Sequence, residues 1–246
     1  MLITSLDNEK IKGYLKLKSR KYRKKTNTFI VEGMHLVLEA YKKGIIKEVV
    51  ALSDTALPLN VPFVYVSNDI MRKLSDMESV SSVIAICKMP LNEEIKGEKI
   101  LILDNLQDPG NLGTIIRSSV AFNIDTIVLS PDTVDLYNPK VIRSTQCMMF
   151  HTNIIVKDLL ETIKILKERE IPVYGTRVDF GENVRNFKDK DRKKYALVMG
   201  NEGNGVNKDI LSMCDGYLYI PTNENVESLN VGVATSILLY ELDRRW

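Results

Sequence analysis

The stretch ILILDNLQDPGNLGTIIRSSV, residues 100–120, decides how the rest of the chain is read. Residues 100–103 are a continuous apolar run, the mark of a strand covered on both faces. Asp108 and Pro109 then open a helix to about residue 122, because the carboxylate can cap free amides and proline fits the first helical position without losing a needed donor. Leu112, Ile116 and Val120 form its buried stripe, which leaves Asn111 in the exposed first turn and Arg117 beside the stripe. A buried strand feeding a helix predicts an α/β layer, in which ligands sit at the carboxyl ends of the strands.

Downstream the pattern repeats. Strands are expected at 126–129, 152–156, 173–176, 196–200 and 217–220, alternating with helices at 140–144, 159–169, after Asn207, and from Leu229 to the end. That alternation predicts a parallel sheet with helices on both faces. Upstream, residues 89–99 lose the apolar period and carry proline, glycine and charge, so a linker is placed at 93–99 between a domain of residues 1–92 and one of residues 100–246. The first domain reads as a small α/β unit, with helices at 8–18, 35–43 and 69–75 and strands at 28–31, 48–52, 63–66 and 83–88.

Composition narrows the function classes. With 246 residues, 44% hydrophobic and 27% charged, the chain resembles ordinary folded protein, which excludes bulk disorder and fibrous repeats. No run approaches the ~20 apolar residues of a membrane helix, and the N-terminal region is too basic for a secretory signal. Cys87, Cys147 and Cys214 form no CxxC pair, so neither a disulfide framework nor a metal site is expected. Together these predict a soluble, cytoplasmic protein. His35 and His151 are the only histidines and stand in no triad-like setting, so covalent hydrolase chemistry lacks its usual actors.

The net charge is +2, yet residues 10–25 (KIKGYLKLKSRKYRKK) hold nine cations and no acid. Cations crowded along one surface favour contact with a polyanion. Arg20, Lys21, Arg23 and Lys24 are the candidates for that contact, and Tyr14 and Tyr22 could stack on bases. The bland alternative, a solvated basic helix followed by a loose loop, stands beside it.

Two more strand ends carry unusual residues. MGNEGNGVN, 199–207, places Gly200, Gly203 and Gly205 directly after an apolar strand, in neither GxGxxG nor phosphate-loop spacing. Glu202 would repel a phosphate there but would tolerate a zwitterionic or cationic ligand, or could orient a neighbouring asparagine. IPTNENVESLNVGVATSILLYEL, 220–242, ends in a helix apolar on most of its circumference, implying central packing or a subunit interface. Ser228 could cap it, whereas Asn230, one residue into that helix, is a buried amide in need of a partner. Preorganised transfer chemistry is what remains.

In order and spacing, DNLQDPGNLGTIIRSS, LVMGNEGNGV and IPTNENVESLNVGVA resemble the three motifs of the SpoU/TrmH family of RNA ribose 2′-O-methyltransferases, within the SPOUT superfamily. TFIVEGMHLVLEA, 28–40, is similar to the small RNA-binding domain of many members, whose fold resembles certain large-subunit ribosomal proteins. The resemblance implies a C-terminal trefoil knot binding S-adenosyl-L-methionine, in a homodimer formed through the C-terminal domain. It implies that Arg117 and Asn111 act at the ribose 2′-oxygen, with Glu202, Ser228 and Asn230 completing that site. Gly200, Ile220 and Leu229, and also Thr176, would hold the cofactor. Asn123, Cys147, Met148 and Gly232 depart from the family pattern, which puts local loop shape and borrowed substrate assignments in doubt.

The expected activity is therefore methyl transfer to a ribose 2′-hydroxyl of structured RNA, ribosomal rather than transfer RNA, without a metal. A non-catalytic RNA-binding or ribosome assembly factor on the same fold is the rival. A dinucleotide oxidoreductase would rest only on the α/β pattern, and its fingerprint is absent.

Overall fold

The computed structural model describes residues 2–55, 57–90, 94–188 and 192–243. By contacts the chain divides into two units: Met1–Leu91 with Asp135–Phe150, and Asn92–Val134 with His151–Trp246. The expected boundary near residue 92 is thus one of three places where the chain passes between units. Residues 135–150, expected in the C-terminal domain, group with the N-terminal one. Of the expected linker, residue 93 lies outside the described residues.

The first unit runs β1 (Leu2–Ile3), α1 (Glu9–Lys16), α2 (Arg20–Thr26), β2 (Thr28–Glu32), α3 (Met34–Lys42), β3 (Ile46–Leu52), β4 (Phe63–Val66), α4 (Asn68–Leu74) and β5 (Val83–Lys88). Its sheet order is β1-β4-β3-β5-β2, with β5 antiparallel to both β2 and β3. Ile11, Tyr14 and Leu17 from the α1 region pack with Val50, Ile70, Met71, Leu74 and Ile84 in its core.

The basic run is not a helix followed by a loop. It forms two short helices, the second closed by Asn27 in the left-handed region (φ 51), whose N–H reaches the Arg23 carbonyl. Arg23 is buried: its Nη1 donates to the Leu17 and Lys18 carbonyls at 2.7 and 2.9 Å, and its Nε to Asp135 Oδ2 at 3.2 Å. That guanidinium holds the two helices and the 135–150 segment together, which is why α2, a segment without apolar period, still folds there.

The chain continues through β6 (Lys99–Leu103), α5 (Pro109–Ala121) and β7 (Thr126–Leu129) of the second unit. It gives α6 (Pro139–Ser144) to the first unit, then returns for β8 (Asn153–Val156), α7 (Leu159–Glu168), β9 (Val173–Thr176), β10 (Glu182–Asn183), β11 (Tyr195–Met199), α8 (Lys208–Ser212), β12 (Gly216–Tyr219) and α9 (Val231–Leu242). The seven strands form a wholly parallel sheet in the order β10-β12-β9-β11-β6-β7-β8. Ile100, Ile102, Val128, Val173, Ala196 and Val198 on its strands meet Leu159, Ile163 and Leu166 of α7 in the core. From β6 the chain moves outward through β7 and β8, then returns on the other side of β6. Chain direction therefore reverses between β6 and β11, and such a switch point is where open parallel sheets hold their ligands.

Candidate functional site

At that reversal the loops after β6 and β11 are joined by hydrogen bonds. Asp104 Oδ2 accepts from the Asn207 N–H at 2.8 Å, and Asn201 Nδ2 donates to the Asn105 carbonyl at 2.7 Å. Gly200 is required here, since a Cβ would lie 2.1 Å from the backbone of Gly205 and Val206, which folds back against it. This return carries Glu202 over the start of α5.

Glu202 is the centre of the site. Its Oε1 accepts from the Asp108 N–H and from Asn111 Nδ2, both at 3.1 Å, and its Oε2 from the Gln107 N–H at 3.2 Å. Partial burial pushes its carboxyl up. Its own backbone N–H, Asn111 Nδ2 and the two loop amides together outweigh burial and hold it below the ordinary glutamate value. Asn111 Oδ1 in turn accepts from Asn230 Nδ2 at 3.0 Å. A continuous chain, Glu202 to Asn111 to Asn230, thus joins all three strand-end segments.

Asn230 is not inside the last helix, as its position after Leu229 predicted. It is the N-cap of α9, its Oδ1 accepting from the Gly232 and Val233 N–H groups at 2.9 and 3.3 Å. One side-chain oxygen caps the helix while the amide nitrogen fixes Asn111, so its partner is the site itself. Ser228, expected as a possible cap, is exposed and makes no hydrogen bond among the described residues.

Arg117 is on the exposed stripe of α5 with Thr114 and Ala121, and it has no hydrogen bond or ion pair among the described residues. It lies six residues after Asn111, roughly 9 Å along the axis and well round the helix, so the structure does not bring the two side chains into contact. One residue on, Ser118 and Ser236 hydroxyls meet at 2.7 Å and tie α5 to α9.

Thr176, Gly200 and Ile220 lie at the ends of the adjacent parallel strands β9, β11 and β12. Thr176 Oγ1 donates to the Val198 carbonyl at 2.8 Å, which secures the strand ends to each other. Ile220 and Leu229 are half-buried. Thr176, Gly200 and Ile220 thus bring backbone groups and an apolar side chain to the carboxyl ends of neighbouring strands, where ligands of open parallel sheets are held.

Of the four basic candidates in the first unit, Arg23 is buried against Asp135 and cannot reach a surface ligand. Arg20, Lys21 and Lys24 are exposed. Several other cations of the run are engaged within the fold: Lys10 with Glu48 at 2.6 Å, Lys12 with Asp7 at 3.3 Å, Lys18 with Asp76 at 2.8 Å. Missed from sequence were the amides of Gln107 and Asp108 and the side chain of Asn201. The only signal for them was Glu202 itself, an acid where a phosphate would otherwise be expected.

Residues 98–240, more than half of the chain, match the model of the SpoU rRNA Methylase family, and residues 8–85 match an MRM3-like substrate binding domain. The chain is 38% identical over 245 residues to a 23S rRNA (guanosine(2553)-2′-O)-methyltransferase, RlmP, from Bacillus subtilis, covering 98% of each. It superposes on an AdoMet-bound rRNA methyltransferase from Sinorhizobium meliloti with a TM-score of 0.88, at 27% identity over 99% of this chain and 97% of that one. The AdoMet complex of AviRb from Streptomyces viridochromogenes gives the same TM-score at 22% identity, over 97% and 98% of the two chains, a likeness of fold. Three motif segments joined at one sheet reversal, and sequence likeness along nearly the full length, place this chain in the SpoU rRNA methylase family.

Proposed function

We propose that this protein transfers a methyl group from S-adenosyl-L-methionine to the 2′-hydroxyl of a ribose in structured RNA, with ribosomal RNA as substrate. The observation that carries the reading is the Glu202–Asn111–Asn230 chain at the switch point of the parallel sheet, with an unpaired arginine on the same helix α5. S-adenosyl-L-methionine supplies an electrophilic methyl on a sulfonium, so no metal is needed.

The chain's own groups have separate tasks. Thr176, Gly200, Ile220 and Leu229 line the strand ends where the cofactor is held. Glu202 seats the loop before α5 and aims the Asn111 amide, and Asn230 fixes the other end of that amide. Arg117 donates hydrogen bonds to the ribose oxygen and stabilises the negative charge that develops as its proton passes to solvent water; an arginine stays protonated in doing so. Ser228 belongs to the same site as a hydroxyl available to the substrate.

In the first unit, Arg20, Lys21 and Lys24 face the RNA, while Arg23 organises the helix that presents them. This unit is the substrate-binding domain, similar in fold to certain large-subunit ribosomal proteins. The second unit, with residues 100–134 and 151–246 at its heart, is the catalytic domain and contains the trefoil knot. Arg192, whose Nη2 donates to the Phe187 carbonyl at 2.6 Å and whose Nη1 donates to the Glu241 carbonyl of α9, supports that reading by tying the approach to β11 to the last helix. The protein works as a homodimer through α5 and α9, a reading supported by Val233 and Tyr240, which α9 leaves 48% and 56% exposed. It acts in the cytoplasm; no helix among the described residues is long and apolar enough to cross a membrane.

Labelled cofactor and ribosomal RNA from cells lacking the protein test the proposal: digestion should place label on one 2′-O-methyl nucleoside. Arg117→Ala should keep cofactor binding and lose that label. Absence of label with the parent protein, together with intact RNA binding, would favour an assembly factor on the same fold.

A further inference from the structure

The loop that follows β9 has features that holding a cofactor does not explain. Val178 and Phe180 are 67% and 62% exposed, more than any other large apolar side chain among the described residues. Isolated apolar side chains on a surface need no explanation, but this loop is held in shape from four directions. Arg177 donates from its backbone N–H to the Leu218 carbonyl at 3.1 Å. Its guanidinium meets Asp179 through Nε at 3.2 Å and Nη2 at 3.4 Å. Gly181 (φ 137) passes so close to β12 that a Cβ would sit 2.6 Å from the Tyr217 carbonyl oxygen, so only glycine fits. Directly after it, β10 pairs with β12, Glu182 opposite Leu218.

What this framework presents is an aromatic and cationic surface. The Phe180 and Tyr217 rings are 6.0 Å apart and inclined at 53°, and the Arg177 guanidinium is 5.9 Å from each ring centre. Tyr217 is fixed by its hydroxyl, which donates to the Leu211 carbonyl at 3.1 Å. The ion pair with Asp179 neutralises the guanidinium locally, so phosphate attraction is not its main use; a flat π-face beside an exposed phenyl ring is. The loop springs from β9, which lies between β11 and β12, the strands leading to Glu202 and to Asn230. It therefore begins directly after Thr176, one of the residues proposed to hold the cofactor.

We infer that Arg177, Phe180 and Tyr217 form a stacking platform for a nucleobase of the RNA substrate near the ribose to be methylated. This rests on the reading above that RNA is the substrate. Bases splayed from single-stranded loops are recognised by stacking on aromatic rings and guanidinium planes. A second copy of the chain is a poorer occupant: Arg177, Asp179 and Glu182 surround the two apolar side chains, whereas the centre of a protein interface is depleted of charge.

The test uses the full-length protein with ribosomal RNA from cells lacking it. Phe180→Ala should raise KM for RNA by about 5- to 100-fold, the effect of removing one base–ring stack, with kcat at saturating RNA and cofactor affinity unchanged. Phe180→Trp should restore KM; Phe180→Leu, apolar but not flat, should not. RNA affinity of the same variants without cofactor, followed by quenching of 2-aminopurine placed near the modified nucleotide, reads the platform even if methyl transfer were not the reaction. An unchanged RNA affinity in Phe180→Ala, or full rescue by leucine, would overturn the inference. Loss of cofactor affinity instead would assign the platform to the cofactor, and a fall in solution mass would assign it to a second copy; either result also rejects it.

Discussion

Replacing Arg23 by methionine should destabilise the first unit strongly while leaving the electrostatics of RNA binding almost unchanged. The side chain is 5% exposed and its partner Asp135 is 15% exposed. The substitution keeps most of the apolar stem but removes the whole guanidinium. Asp135 is then left as a nearly buried carboxylate without its cation, and the Leu17 and Lys18 carbonyls lose the donor that joins α1 to α2. Breaking a buried ion pair by deleting one partner costs about 3–5 kcal/mol. Partial solvent access at Asp135 argues for the lower end, ~3 kcal/mol, because water can rehydrate an edge of the carboxylate.

Urea unfolding followed by far-ultraviolet circular dichroism measures the cost, and adding Asp135→Asn to Arg23→Met should recover a substantial part by removing the stranded charge. Salt titration of RNA affinity is the second arm. A surface arginine neutralising a phosphate would contribute about 0.7–0.9 to the slope of log K against log salt, whereas a buried one contributes nothing. A stability loss below about 1 kcal/mol together with a flattened salt slope would refute the assignment of Arg23 to the fold, since a surface pair is typically worth no more than that.

The exposed cations of the same run should behave in the opposite way. Lys21, Lys24 and Lys25 carry no ion pair among the described residues, and changing all three to glutamine should flatten the salt slope by about 2, while changing Lys10, Lys12 and Lys18 should leave it nearly unaltered. Glu202→Gln should lower kcat/KM by about 10- to 100-fold, nearly as much as Glu202→Ala, because its new NH2 would face an N–H donor; activity close to that of the parent would show that the carboxylate does not seat the loop. Asn230→Ala should cost about 1 kcal/mol as a lost N-cap, whereas Asn230→Asp should keep stability and lose activity, since aspartate caps α9 but cannot donate to Asn111. The folded Glu202 carboxyl lies below its ordinary value of 4.5, so its contribution to stability is complete above that value and is lost as pH falls through the lowered one. The stability difference between parent and Glu202→Gln should therefore be constant at neutral pH and close only in acid.

Local chemistry carried most of the architecture into the sequence. Asp108–Pro109 fixed the start of α5, where the Asp108 carboxylate does accept from the Asn111 N–H at 2.8 Å, and the continuous apolar runs of β6, β7 and β11 are the central strands of the parallel sheet. The strands β1 and β10, two residues each, are too short to show any period. Helix α2 was illegible for a different reason: what holds it is Asp135, 112 residues away, and no window of sequence contains both partners. Asn230 was read as a buried amide inside the helix instead of its cap, because Ser228, an equally good capping type two residues earlier, set the expected helix start at Leu229. Residues 135–150 read as one more crossover between strands; only contacts show them to belong with β2 and α2.

The carboxylate of Glu202 was the one feature at odds with an RNA-binding site, and the geometry resolves the conflict. Three backbone N–H groups and the Asn111 amide converge on it, so its negative charge is matched within the loop and projects little field toward a phosphate. Arg117 has no such match. On the proposed function, a charge neutralised by fixed dipoles and a charge left open serve the same reaction, and the open one is positive. That is the arrangement required when an oxygen gains negative charge beside a donor that already carries positive charge: the site must remain ionised where it holds its own loop, and must leave uncompensated only the group that meets the developing anion. An additional free carboxylate near Arg117 would remove this asymmetry, so Thr114→Glu, on the same exposed stripe of α5, should depress methyl transfer while sparing cofactor binding; unchanged turnover in that variant would mean that Arg117 acts by position alone and not by its charge.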